Sequence, residues 1–303
     1  GEDQKKDEPA DAEPKTPDTQ KPEGETDADT LEASTEQKPV EKAAEDHDDD
    51  EDVMTFEANT ASTLTKVANE AVQNIIKIIN NCTKKDTTVT IENVNIYQYA
   101  YDYKAAMSVE GAGDTTLKLV GDNTLRGGFS RAGLEKDDEY STGKLTITAE
   151  DTSASLKAYG GQNSAGIGGG SYHSTSKLEI ANGKIYAESG SNMGAGIGGG
   201  GSDGHNPARS GDAENIIIQG HSKVTATALD GAAIGGGSAN GSGGNYSGGS
   251  ARKIVIRDHA TVIAKGSYDD RTGYGAAIGA AGYSGDNTCL LYTSDAADDL
   301  IGV

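Results

Sequence analysis

Six residues in glycine-rich stretches carry the side chains best suited to holding a sugar: Tyr172, His173, His205, Arg209, Tyr246 and Tyr283. Aromatic rings offer flat apolar faces, and the Ser, Asn and Gly around them offer hydroxyls and amides. Together these are the means of stacking on a glycan and hydrogen-bonding to it. The plainer reading is a set of solvated loops with tyrosines lying against the protein. A second chemistry is open to the acidic runs Asp137, Asp138, Glu139 and Asp269, Asp270, which could hold calcium if a carbonyl and another carboxylate converge on them. Calcium is the one cofactor the sequence suggests, and solvated turns are the default. The single GGGGSD stretch ending at Asp203 resembles a calcium-binding nonapeptide repeat but occurs once, where that mechanism needs many.

Other chemistries are less well served. Glu150, Asp151, Glu179 and Glu188 could supply a carboxylate pair for glycoside cleavage, but that reaction requires a set separation that sequence does not give. His173, His205, His221 and His259 fall at non-equivalent places in the repeat described below and lack metal-ligand spacing, so they read as solvated histidines. The glycine runs lack the lysine and following helix of a phosphate-binding loop.

The elements that must position these groups are repeats. AGIGGG at 165–170 returns at 195–200, as AAIGGG at 232–237 and as AAIGAA at 276–281. Its isoleucines, Ile167, Ile197, Ile234 and Ile278, lie 30, 37 and 44 residues apart, the period of a solenoid with lengthening loops. From Val89 apolar residues alternate with polar ones, which reads as strand. Three rows of anchors then line up. The first is Ile91, Leu119, Ile147, Ile180, Ile218 and Ile256; the second Ile96, Leu125, Leu156, Ile185, Val224 and Val262, with Ala158, Ala187, Ala226 and Ala264 two residues on; the third Met107, Leu134, Ile167, Ile197, Ile234 and Ile278. The expected fold is all-β, a right-handed parallel β-helix of about six coils with three strands per coil. Glycines after the third anchor serve tight corners. The insertions that follow it, 171–176, 201–213, 238–250 and 281 onward, should share one side and present the sugar-suited residues. The outward files Lys157, Tyr186, Thr225, Ile263 and Tyr159, Glu188, Thr227, Lys265 make a second candidate face.

Before the repeats, Leu64, Val67, Ala68, Ala71, Ile75, Ile78 and Ile79 recur at threes and fours over 61–80. That spacing predicts an amphipathic helix, a cap over the first coil. The formal charge of -22 is concentrated at the start: residues 1–52 hold 21 acidic side chains against 6 lysines, and five of the six prolines. Such a segment buries too little apolar surface to offset the entropy of ordering and reads as a disordered acidic linker. The expected organisation is therefore 1–52 linker, 53–86 capping-helix region, 87–288 β-helix and 289–303 a non-native tail. Cys289–Asp299, CLLYTSDAADD, resembles the translation of a transposon-type sequencing adapter.

The order TLKLVGDNTLRGG, RAGLE, GKLTI and repeated AGIGGG, spanning 87–285, resembles a family of bacterial secreted β-helix proteins described as carbohydrate-binding-domain-containing, pectin-lyase-like surface proteins. The resemblance implies a parallel β-helix at the cell surface, often beside adhesion or cell-wall modules, and is specific for fold more than for activity. The chain departs from the lyases in lacking a clear cluster of calcium-binding aspartates with a basic residue in neighbouring coils.

Negative charge on both parts excludes nucleic acid as a partner, and no apolar run approaches the roughly 20 residues of a membrane helix. The start at Gly1 without a signal segment is expected to reflect a fragment. The expectation is thus a secreted or surface, non-catalytic protein that binds polysaccharide or acts as an adhesin. A polysaccharide lyase or hydrolase is the alternative, and a purely structural stalk the third reading.

Overall fold

Thr87–Glu92 and Thr115–Val120 bury alternate residues, as do Leu145–Ala149, Ser155–Tyr159, Lys184–Glu188 and Lys223–Thr227, because a period of two sends successive side chains to opposite faces. The computed structural model describes residues 53–58, 64–68, 71–72, 75–83, 87–203, 209–239, 247–266, 268–269, 273–281 and 292–293. All belong to one compact unit, Gln37–Val303.

Three parallel sheets of stacked strands, here called walls, make up the described residues, the arrangement of a parallel β-helix. Wall A holds Val53–Ala58, Ile75–Asn80, Met107–Glu110 and Leu134–Glu135, then the two-residue strands Ile167–Gly168, Ile197–Gly198, Ile234–Gly235 and Ile278–Gly279. Wall B runs from Leu64–Ala68 through Thr87–Glu92, Thr115–Val120, Leu145–Ala149, Thr175–Ile180 and Ala213–Ile218 to Ala251–Ile256 and Tyr292–Thr293. Wall C runs from Ala71–Val72 through Asn95–Tyr97, Asp122–Arg126, Ser155–Tyr159 and Lys184–Glu188 to Lys223–Thr227 and Thr261–Lys265. The chain visits A, B and C in turn, so each strand pairs with the strand one circuit away. Tyr268–Asp269 and Gly273–Tyr274 form a separate antiparallel pair.

The aliphatic rows lie in the interior. Met107, Leu134, Ile167, Ile197, Ile234 and Ile278 stand in one unbroken register, and the first five are fully buried. Each such side chain contributes about 1.5–3 kcal/mol by leaving water. The other two rows hold except at one step. Leu119 pairs with Ala149, not Ile147, and Leu125 pairs with Ala158, not Leu156. Matching by residue size had slipped both rows by two, a slip that leaves every side chain on its expected face.

The expected capping helix over 61–80 is not present: the described residues there are the strands Leu64–Ala68, Ala71–Val72 and Ile75–Asn80. Ile75–Asn80 alternates half-buried and buried positions, with Ile76 and Ile78 inside. The isoleucine run favours a strand, and the apparent spacing of three and four came from reading three short strands as one element. Asn80 is a buried corner tie: its amide donates to Asp114 O at 2.8 Å and Thr115 Oγ1 at 3.1 Å.

Among the described residues no helix is long and apolar enough to cross a membrane. The acidic segment 1–52 lies outside them, as does most of 289–303; there Tyr292–Thr293 pairs with Val255–Ile256.

Candidate functional site

The described residues of the insertions after the third anchor fall at one corner, between walls A and B, where Ser202 bridges Ala239 and Arg209 bridges Ser247. The Tyr172 hydroxyl donates to Asp203. Burial, then this carboxylate, pushes the Tyr172 phenol up to about 12. Arg209 binds Asp212 at 2.7 Å, and Asp212 Oδ1 also accepts the backbone N–H of Ser250. These two candidate sugar-binding residues are thus tied down by neighbouring carboxylates. His205, Tyr246 and Tyr283 lie outside the described residues.

His173 is drawn into different company. Its Nδ1 lies 2.7 Å from Asp137 Oδ2 and 3.2 Å from Glu139 Oε2, while Tyr140 stacks on its ring at 6.5 Å. Asp137 raises the imidazole above its ordinary value, against the opposing effect of partial burial. The 2.7 Å contact pairs the two charges when the imidazole is protonated, and the buried Asp137 Oδ2 has no other partner. Of the calcium candidates, Asp138 turns away to accept Ser176 Oγ at 2.9 Å and Lys136 Nζ at 3.4 Å. The Asp269 side chain and Asp270 lie outside the described residues. One residue expected to take sugar, His173, and two of the acidic run expected to take metal, Asp137 and Glu139, therefore share a site.

This corner departs from the repeat. Where later coils read GGG, the coil of Leu134 reads Glu135, Lys136, Asp137, and these charged residues are 5%, 0% and 3% exposed. Burial pushes the Glu135 carboxyl up, opposed by Arg131 at 2.8 Å. Burial likewise lowers the Lys136 ammonium, opposed by Asp138; its Nζ donates to Ser141 O at 3.0 Å. Buried charges with displaced titration mark candidate functional sites.

No family model, curated protein or solved structure matches the chain.

A second region went unread in the sequence. Tyr97, Tyr99, Tyr101 and Tyr103 are 54%, 55%, 88% and 67% exposed, at the end of Asn95–Tyr97 and on the corner leading back to wall A. The corner is fixed from within: the Asp102 N–H donates to Tyr99 O at 3.0 Å and the Gly128 N–H to Lys104 O at 2.9 Å. The rings of Tyr103 and Phe129 meet at 5.0 Å, and those of Tyr97 and Tyr99 at 6.1 Å. The outward file of wall C continues this surface, since Tyr97, Arg126, Tyr159 and Glu188 are in register. The Arg126 guanidinium lies 5.5 Å from the Tyr97 ring centre and 4.6 Å from that of Tyr159, and Tyr159 meets Tyr186 at 5.7 Å. The signal in the sequence was YQYAYDY, a tyrosine at every second position, hidden because the alignment followed inward aliphatic residues.

His221 and His259, expected at non-equivalent places, are in fact equivalent. They stack at 5.0 Å on the corner between walls B and C of adjacent coils. Two imidazoles without a carboxylate make a weak centre.

Proposed function

We propose that the chain is a non-catalytic, secreted or cell-surface β-helix protein that binds polysaccharide. The binding surface is the outside of wall C together with the tyrosine-rich corner. The observation that carries this reading is the run of four exposed tyrosines continuous with the Tyr97, Arg126, Tyr159 file. A soluble protein leaves a contiguous aromatic patch open to water when a partner is to cover it. Strands 4.8 Å apart make a flat track along which an extended sugar chain can lie across successive rings. Arg126 between two rings holds them apart and adds donors for hydroxyls. The first candidate wall, the corner of Tyr172 and Arg209, is less suited because those groups are already engaged. The resemblance carried by the AGIGGG repeats supports a surface location, and a right-handed winding follows the general rule for parallel crossovers.

The lyase or hydrolase reading has one observation in its favour, the gathering of Glu135, Asp137, Glu139, Arg131 and Lys136. Its basic groups are spent, however: Lys136 is fully buried on Ser141 O, and Arg131 is bound to Glu135.

The test is affinity electrophoresis of the full chain through a panel of polysaccharides. The chain should be retarded by at least one, and Tyr101→Ala with Tyr103→Ala should lose about tenfold or more in affinity, roughly 1.4 kcal/mol, at unchanged melting temperature. No retardation in any polysaccharide, or full retention of binding by the double variant, refutes the reading; the first outcome favours a stalk.

A further inference from the structure

We propose that Asp137, Glu139 and His173 form a binding site for one divalent transition-metal ion of the zinc class. The site lies at the corner between walls A and B, whereas the tyrosine surface is on wall C and the corner between walls C and A.

The three residues each offer a ligand atom, and these atoms all lie within 4.8 Å of one another. Zinc ligands at about 2.0–2.2 Å in a tetrahedron stand roughly 3.4 Å apart, so the Asp137 and His173 atoms, now at 2.7 Å, need to separate by only some tenths of an ångström. Glu139 is exposed enough to follow.

Two features set this apart from an acidic turn. Asp137 is a buried carboxylate, 3% exposed, whose Oδ2 has no partner but His173 Nδ1 at 2.7 Å. A buried carboxylate oxygen needs a cation beside it, and a metal ion held between the two side chains can take the place of the imidazolium proton there. The surrounding structure also orients the ligands. Asp137 Oδ1 accepts the Glu139 N–H at 2.9 Å, and the Asp137 carbonyl accepts the N–H groups of Tyr140 and Ser141 at 3.1 and 2.8 Å. The backbone N–H of His173 donates to Gly170 O at 3.0 Å, and Tyr140 stacks on its ring. These backbone bonds hold the two loops in place, and the bond to Oδ1 orients the Asp137 carboxylate itself. The nearby cations are engaged elsewhere, Arg131 with Glu135 and Lys136 with Asp138.

The donor set selects the metal. Calcium takes six to eight oxygens, whereas one imidazole and two carboxylates suit zinc and its neighbours. The outer side, where Glu139 and His173 are exposed, leaves room for water or a further donor.

The experiment is calorimetric titration of the full chain with Zn²⁺ alone and with Ca²⁺ alone. One Zn²⁺ should bind per chain, and tenfold excess Ca²⁺ should not displace it. His173→Ala and Asp137→Asn should each weaken binding about 100-fold, and Glu139→Gln about tenfold. A second measurement needs no variant: Zn²⁺ should protect His173, but not His221 or His259, from diethyl pyrocarbonate in the unaltered chain. Absence of Zn²⁺ binding at millimolar concentration, undiminished binding by both His173→Ala and Asp137→Asn, or protection of His221 and His259 in place of His173 overturns the proposal.

Discussion

Glu135–Asp137 and Gly168–Gly170 follow paired residues, Leu134 and Ile167, on adjacent coils of the same wall, yet one triplet is charged and the other has no side chains. At Gly168, Gly198 and Gly235 the backbone has φ of +132°, +139° and +144°. A Cβ added at any of the three would run into the carbonyl oxygen of the next glycine along the wall, Gly198, Gly235 and Gly279 respectively. Glu135, opposite Gly168, is not in that left-handed region. The difference separates two uses of the same place. Where the sequence repeats, it is solving a problem of backbone geometry; where it breaks the repeat, side chains are free to gather charge.

The largest effect that could break this comparison is expected at a repeated glycine. Gly198→Val should destabilise the chain by about 4 kcal/mol or more, through strain at φ and collision with the Gly235 carbonyl. Urea denaturation would show it, and near-wild-type stability would remove the geometric account of the repeat. At the charged triplet the expectation is different. Lys136→Met leaves the buried Ser141 carbonyl without its donor, while the partly exposed Asp138 can turn to water, so the loss should be about 1–3 kcal/mol. A loss above about 3 kcal/mol in the same assay would mean that the charges hold the corner together. The smallest effect concerns wall B, where Lys177, Asn215 and Lys253 occupy one stacked bulge with φ of +52°, +55° and +54°. Here the left-handed position carries side chains, at a cost of about 1–2 kcal/mol each. Lys177→Gly should stabilise by about 0.5 kcal/mol net of glycine's own entropy, read as a higher urea midpoint. Destabilisation would show that the Lys177 Nζ contact with Thr142 O at 2.7 Å outweighs the strain.

The third row of anchors was legible because Ile167, Ile197 and Ile234 sit in a repeated motif whose register cannot drift. The slipped step at Leu119 and Leu125 was not, because Ala149 and Ala158 pair there and residue size misleads. The bulge hid in the same way: Thr175 and Leu178, and likewise Ala213 and Ile216, both point inward across three residues, a spacing a strict period of two does not contain. Ile75–Asn80 was misread since a few apolar residues at threes and fours fit a helix face as well as a chain of short strands. At the candidate site, the acidic run 137–139 was visible as a ligand source. That His173 would join it was not, because the two lie on different coils and only the pairing of the walls brings them together.

Residues 197 and 234 face each other across one circuit of the chain, as do 198 and 235. A segment bounded by such equivalent points is interchangeable with nothing at all: excising 197–233 would join Gly196 to Ile234, in the order in which it now precedes Ile197. A molecule assembled in this manner can be shortened or lengthened by whole windings, so its reach is a heritable quantity that changes by duplication or deletion while the pairing of the repeated isoleucines and glycines is kept.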